Sequence, residues 1–383
     1  MRTFSCVVVA LSVSRLLAAD APSAKEIDAL ITQLGDDSET RREAAAKKLE
    51  EIGEPALEAL RKAAKSHADV DVRLRAGLVL RTITDKGWGE VRHFGAGGGY
   101  WLNRVAFTRD GKHAIATGGA VIVYDLDTGK ELRRSMEMIY ARNGFALTRD
   151  GKYFFTGHQD DKVVRKGEVE TGKEVTGFGG HKDGIHAVAL SPDEAFLASG
   201  GPDGSVRIWD LKDSKRDREC KVGRKVRSLT FTADGKHVLC GHFGPSDDHS
   251  ITLWDIEKGT EVRRFKGHTG DVTSLVMLPG GKEFLSSSTD GTVRRWDLEK
   301  GKELDQWKHK GAVNEVAVSP DGKRALTAGF GDRTVRVWDV ATGKEVHRFE
   351  GHTGAVLGVA FSSDGKRALS SDSQCTLFLW RLP

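Results

Sequence analysis

The chain has 383 residues, 30% of them charged and 38% hydrophobic, with a mean hydropathy of -0.40, a mixture that excludes a polytopic membrane protein and a fully disordered chain. Glycine supplies 45 residues and proline only 8; a glycine share of about 12% against a usual ~7% marks many turns rather than a low-complexity linker. With 59 basic and 55 acidic side chains the net charge is +4, too even a balance to draw the chain to nucleic acid or acidic membranes.

The first residues differ from the rest. Arg2, the uncharged stretch from Phe4 to Ser14 centred on Val7-Val8-Val9, and Leu17-Ala18-Ala19 before Asp20 have the form of a secretory signal peptide over residues 1–19. Export to a periplasm or the outside is expected, with a cytoplasmic chain as the alternative. Arg15 interrupts the apolar run, and Pro22 disfavours cleavage at Ala19-Asp20-Ala21. The run is too short to span a bilayer, which needs about 20 apolar residues. Cys6 falls in this segment. Cys220, Cys240 and Cys375 remain, an odd number without C-x-x-C spacing, so buried thiols are expected rather than a disulfide framework or a metal site.

Residues 20–86 read as a small all-α domain of two helical hairpins. Ser23-Ala24-Lys25-Glu26 forms a capping box, followed by Ile27, Leu30, Ile31 and Leu34 at helical spacing and a stop at Gly35. A second helix starts near Ser38 with Ala45, Leu49 and Ile52 on one face, and Pro55 opens a third with Leu57, Leu60 and Ala64. A fourth carries Val72, Ala76, Val79 and Leu80. Arg41-Arg42-Glu43-Ala44-Ala45 recurs as Arg73-Leu74-Arg75-Ala76-Gly77, and this resembles a pair of HEAT-like repeats. Such units bury their faces by stacking, so the hairpins are expected to dock on a neighbour.

From about residue 88 a stronger period governs the chain. Turns of Asp-Gly type fall at Asp110, Asp150, Asp193, Asp234, Gly280, Asp321 and Asp364. An aromatic before a usually acidic residue falls at Tyr124, Trp209, Trp254, Trp296, Trp338 and Trp380, with Gly167 in the missing place, at spacings of 42 to 45. Each of seven units reads as four short strands, such as Ile185 to Leu190, Ala195 to Ser199 and Ser205 to Trp209. The pairs Trp209-Asp210, Trp254-Asp255, Trp296-Asp297 and Trp338-Asp339, with Gly180-His181, Gly267-His268 and Gly351-His352, resemble those of the WD-repeat β-propellers. The resemblance implies a mainly β fold, a seven-bladed β-propeller of four-stranded blades over residues 88–383. The chain ends three residues after the last Trp, leaving the seventh unit one strand short; Gly89 to Phe94 matches Lys344 to Phe349 and is expected to supply it.

Six residues before the Trp places stand Asp161, Asp203, Asp248, Asp290 and Asp332. The resemblance implies that each such Asp orients a Gly-His histidine, which meets a Ser or Thr hydroxyl and the Trp N–H. His181, Ser199, Asp203 and Trp209 are expected to form one set, and His268, Ser287, Asp290 and Trp296 another. Departures stand at Gln374 for Asp in unit seven, at Ala328 for Ser and Lys308-His309 for Gly-His in unit six, and at Gly167 in unit two, which has no Gly-His in that place; nor does unit one.

Other chemistry is weaker. The Asp-His-Ser trio recurs from blade to blade without a G-x-S-x-G elbow, which argues for a structural role over a hydrolase. His242, Asp247, Asp248 and His249 form a possible metal cluster, but Asp248 already occupies the structural Asp place, so no metal and no cofactor are expected. Gly97-Gly98-Gly99 lacks the rest of a P-loop and reads as a loop. Residues 211–227 hold eight Lys or Arg against three Asp or Glu, a solvated blade edge by default and an anion-binding surface otherwise. Seven residues before each first turn stand Asn103, Asn143, His186, Arg227, Thr273, Asn314 and Leu357, a mostly uncharged polar ring at the mouths of the inner strands, to which Tyr100 and Trp101 add aromatic anchors. The expected function is a non-enzymatic, exported scaffold that binds a protein or peptide on this loop face, without nucleic acid or a membrane span; the alternatives are a glycan- or small-ligand-binding propeller and, behind it, a propeller enzyme.

Overall fold

The computed structural model describes residues 23–52, 56–95, 101–135, 144–158, 160, 162–213, 217–244 and 248–383. The signal segment, Pro55, Asp161 and the Gly97-Gly98-Gly99 loop lie outside the described residues. Two compact units divide between Gly87 and Trp88. None of the described helices is long and apolar enough to cross a membrane.

The first unit has four helices: α1 (Ala24–Gln33), α2 (Glu39–Ile52), α3 (Leu57–Ser66) and α4 (Val70–Gly87). The capping box forms as read: Ser23 Oγ accepts from Glu26 N at 3.3 Å, and Glu26 accepts from Ser23 N at 2.8 Å, which satisfies two otherwise orphaned donors. Ile27, Ile31, Leu34, Ala45, Leu49, Leu60, Val72, Ala76 and Val79 pack in one apolar cluster, the 3.6-residue spacing having put them on facing stripes.

The second unit is a seven-bladed propeller of antiparallel four-stranded sheets. Blade one holds β2 (Leu102–Phe107), β3 (His113–Gly118), β4 (Val121–Asp125) and β5 (Glu131–Ser135). Blade two holds β6 (Phe145–Leu147), β7 (Tyr153–Gly157), β8 (Val163–Glu168) and β9 (Glu174–Gly179). Blade three is β10 (Ala187–Leu190), β11 (Phe196–Gly200), β12 (Ser205–Asp210) and β13 (Asp217–Lys221), and blade four is β14 (Val226–Phe231), β15 (His237–His242), β16 (Ile251–Asp255) and β17 (Thr260–Phe265). Blade five is β18 (Val272–Met277), β19 (Glu283–Ser288), β20 (Thr292–Asp297) and β21 (Lys302–Lys308), and blade six is β22 (Val313–Val318), β23 (Arg324–Gly329), β24 (Val335–Asp339) and β25 (Glu345–Phe349). Blade seven takes β26 (Val356–Phe361), β27 (Arg367–Asp372) and β28 (Thr376–Arg381) from the end of the chain and its outer strand, β1 (Gly89–Gly95), from the start. Phe94 pairs with Leu377 and is buried with Tyr124, Leu369 and Leu379, so the closing strand seals the seam between blades seven and one.

Bulges recur at two radii. In the inner strands the register slips between Leu102 and Arg104, Val226 and Ser228, Val272 and Ser274, Val313 and Glu315, and Val356 and Gly358. In six outer strands the extra residue is Val91, Leu132, Val175, Val262, Leu304 or Val346, each an exposed aliphatic. A bulge bends and twists a strand, and on an edge it discourages pairing with another chain.

Candidate functional site

The recurring polar sets come first, because they decide which side chains are free. In blade three His181 Nδ1 lies 2.8 Å from Asp203, its Nε2 lies 2.8 Å from Ser199 Oγ, and Trp209 Nε1 donates to the same hydroxyl at 3.0 Å. A hydroxyl that accepts from tryptophan still has its own proton to give to His181 Nε2, and with a neutral ring this leaves Nδ1–H to donate to the carboxylate. Burial holds the His181 pKa below its ordinary value, against the pull of Asp203. Ser199 has no accessible surface, so its oxygen is closed to any substrate. Each buried tryptophan removes about 200 Å² from water, roughly 5 kcal/mol, whereas each hydrogen bond nets about 1 kcal/mol; packing holds the blade and the polar set fixes its register.

Blade five corrects the reading by one residue. The hydroxyl that joins His268 (2.7 Å) and Trp296 (2.8 Å) is that of Ser286, while Ser287 meets Thr273 at 2.9 Å. Asp290 lies 2.8 Å from His268 as expected; burial opposes its ionisation, but bonds from His268 and Thr292 hold its carboxyl well below the usual carboxylate range. Two of the apparent departures, at Ala328 and Gln374, are likewise repaired. In blade six Thr327, not position 328, bonds His309 at 2.7 Å and Trp338 at 2.8 Å. In blade seven Asp372, two residues before Gln374, lies 2.8 Å from His352, whose other nitrogen lies 2.7 Å from Ser370.

Blade four replaces the set. Arg224 stands in the histidine place and binds Asp248, which Arg264 also reaches at 2.9 Å. The histidine comes instead from the end of the second strand: His242 Nε2 lies 2.8 Å from Thr252 Oγ1, which accepts from Trp254 at 2.9 Å. Burial pulls the His242 pKa down to about 4. Blade two does the same with His158, 3.1 Å from Thr156. The signals were Gly157-His158 and Gly241-His242, Gly-His pairs at the end of a strand rather than before one. The cluster read as a possible metal site is thus dispersed: His242 is buried in the blade, Asp248 is engaged by two arginines, His249 lies 3.6 Å from Asp271, and Asp247 is outside the described residues. Among the described residues no group of three or more His, Cys, Asp or Glu is disposed to hold a metal ion.

Five of the seven ring positions, Asn103, Arg227, Thr273, Asn314 and Leu357, are the bulge residues of their inner strands. The bulge turns Arg227, Thr273 and Asn314 toward the next blade. Arg227 meets Asp271 at 3.0 Å, Thr273 donates to the Val313 carbonyl at 2.6 Å, and Asn314 donates to the Leu357 carbonyl at 2.6 Å. Thr273 and Leu357 are each only 4% exposed, so they belong to the joint between blades and not to an open face. His186 lies over Phe243 with ring centroids 5.1 Å apart. Asn143 and Tyr100 lie outside the described residues.

Below this ring the seven inner strands enclose a cavity of about 420 Å³. One ion pair crosses it: Arg104 of β2 reaches Glu315 of β22, whose other oxygen accepts from the Val359 amide at 2.9 Å. Gly358 lies between them, where a Cβ would stand 3.2 Å from the Arg104 Cα. Burial raises the Glu315 pKa against the pull of Arg104.

On the same face, at the start of the inner strands, two apolar rings meet solvent. Trp101 is 58% exposed and Phe330, in the turn after β23, is 42% exposed. Gly118 allows Trp101 to sit there, because a Cβ would lie 1.7 Å from the Trp101 carbonyl oxygen. Trp101 was singled out in the sequence. Phe330 was missed: Gly329-Phe330-Gly331 carries an aromatic in the turn after the second strand, as His242-Phe243-Gly244 does in blade four, where His186 lies over the ring.

The WD domain, G-beta repeat family matches residues 172–210, 219–255, 259–297, 301–339 and 343–381, together just over half of the chain. The chain is 34% identical over 106 residues to small ribosomal subunit protein RACK1 of Neurospora crassa, covering 28% of this chain and 32% of that protein. It is 29% identical over 168 residues to guanine nucleotide-binding protein subunit beta-1 of Drosophila melanogaster, covering 42% of this chain and 46% of that protein. With MST50-interacting protein 11 of Pyricularia oryzae it shares 33% identity over 106 residues, 28% of this chain and 32% of that protein. The chain therefore spans less than half the length of each of these relatives. Registered Trp-Asp and His-Asp sets in a closed ring of seven four-stranded blades, with five matching repeats, make this chain a member of the WD-repeat family.

Proposed function

We propose that the chain is an exported, non-enzymatic scaffold that holds a protein or peptide partner on the propeller face bearing Trp101 and Phe330. The observation that carries the reading is the pairing of two exposed aromatic rings on that face with histidines and hydroxyls that are consumed inside the blades. Aromatic side chains that bury a large area at small entropic cost are the usual anchors of an interface. The relatives named as subunits or as an interacting protein support it. The leader-like residues 1–19 support export.

The test places a photo-crosslinking residue beside Trp101 in the source cell, and beside Val262 on the outer rim as a control, and compares the adducts in the envelope fraction. Trp101→Ala with Phe330→Ala is expected to abolish the face-specific adduct and leave the rim control unchanged. An undiminished adduct would remove the face assignment, and a first residue before Asp20 in the envelope-fraction protein would remove cleavage of the leader. The channel cavity supports a second reading, in which a small ligand enters between Arg104 and Glu315; Arg104→Met would then abolish ligand-dependent stabilisation without touching the crosslink.

A further inference from the structure

Blade three differs from the others at its outer edge. In five of the other blades the third and fourth strands are joined by a tight turn ending in Glu, as in Lys300-Gly301-Lys302-Glu303, with the bulge at the next residue, and in blade seven the bulge follows Glu90 of the closing strand. Blade three has a longer connection from Asp210 to Asp217 without that turn. Its outer strand then runs in unbroken register, from Trp209 opposite Asp217 to Ser205 opposite Lys221. It also lacks the exposed aliphatic that the bulge turns outward in the others. Asp217, Arg218, Glu219 and Lys221 are exposed along it, while Cys220 alone is buried.

An unbulged outer strand presents a straight row of backbone donors and acceptors, the geometry to which an added strand pairs. The charge beside it has a sign. Of the eight basic residues in 211–227, Arg224 is bound to Asp248 and Arg227 to Asp271, and of the three acidic ones Asp217 is bound to Arg207. Among the described residues Lys212, Arg218, Lys221 and Lys225 remain against Glu219, and Arg218 and Lys221 stand on β13 itself. We propose that β13 is a docking edge for an extended acidic segment of a partner protein, which adds to blade three as a fifth strand and sets its carboxylates against Arg218, Lys221 and their neighbours. The site is separate from the Trp101 face.

The probe is an acetylated, amidated (Glu-Val)4 peptide added to the full chain, read by isothermal titration and by amide hydrogen exchange. Saturable binding with a Kd below about 1 mM is expected, together with at least tenfold slower exchange at alternate amides of Asp217–Lys221 and none at the six bulged strands. The fully N-methylated peptide keeps the charge and loses the donors, and should bind at least tenfold more weakly. Replacing residues 211–217 by the sequence of residues 298–303 installs the bulge and should remove the slowed exchange, with an unchanged melting temperature as proof of folding. Arg218→Glu with Lys221→Glu should weaken binding, and more so at low salt. Equal binding of the N-methylated peptide, or slowing spread over all outer strands, would mean a diffuse basic surface and overturn the proposal, as would no binding at 1 mM.

Discussion

Phe94→Ala tests how the ring is closed. Phe94 is 5% exposed, stacks on Tyr124 with centroids 5.7 Å apart, and packs with leucines of β27 and β28. Truncating a buried phenylalanine costs about 3–5 kcal/mol through lost transfer energy and the cavity left behind, of which the aromatic pair contributes roughly 0.5–1.5. Phe265→Ala is the control, because Phe265 ends the outer strand of blade four in the same place and is 1% exposed, but that strand is continuous with its blade. Both variants should lower stability by a similar amount, read by denaturant unfolding. Only Phe94→Ala should create a cheap local opening, because β1 is joined to its blade by pairing with β28 alone. Native-state hydrogen exchange should then show β28 amides losing protection ahead of those in β19, whereas Phe265→Ala spares that difference. Equal loss in β28 and β19, or a cost below about 1 kcal/mol, would refute the view that the terminal strand carries the seam.

Three further outcomes follow from the polar chemistry. The Tyr124 hydroxyl is buried with no hydrogen-bond partner among the described residues, and burial pushes its pKa up to about 12; Tyr124→Phe should therefore stabilise the chain by about 1 kcal/mol or more, and a lower melting temperature would count against the orphaned hydroxyl. His242 has a folded pKa of about 4 against an unfolded value of about 6.5, so between these limits the unfolded chain binds more protons and stability rises with pH. Acidification from pH 7 to 4 should cost about 3 kcal/mol from this residue, added to by His181, His268 and His309, which burial also depresses; a His242→Gln variant with the same acid slope would contradict it. Ser286→Ala leaves His268 Nε2 and Trp296 Nε1 without their hydroxyl partner and should cost about 2–3 kcal/mol, whereas Ser287→Ala should cost about 1 or less, since Thr273 keeps its bond to Val313; the reverse order in urea unfolding would restore the reading from spacing.

Much of the fold was legible because the physics repeats. Trp places 42 to 45 residues apart and Asp-Gly turns in step with them announce seven units, and the match of Gly89 to Phe94 with Lys344 to Phe349 announces the closing strand. Side-chain identity within a unit was less legible. Ser286-Ser287-Ser288 offers three hydroxyls in a row, and which of them faces His268 depends on strand parity, which a one-residue error inverts. Asp372 was hidden because the turn after it has a different length, and Arg224 because a guanidinium took the place of an imidazole. The ring at the channel mouth was found by counting back from the turns, yet its meaning was not, since a bulge leaves no composition signal and redirects the side chain it carries.

The two sets of bulges together account for how the surface is divided. The inner set turns Arg227, Thr273 and Asn314 sideways, so that groups which would crowd the channel mouth become bonds between successive blades. The outer set spoils six edges and exposes one aliphatic on each, an arrangement too dispersed to form a continuous apolar patch. A closed ring has no sheet ends to protect, so its hazards are its outer strands and its hub, and both are dealt with by the same local device. What escapes it is then informative: the loops carrying Trp101 and Phe330, which stand proud of the hub, and β13, where a different turn leaves the register whole. Those exceptions arise from loop sequence and not from the repeat, and loop sequence is what separates one propeller of this kind from another.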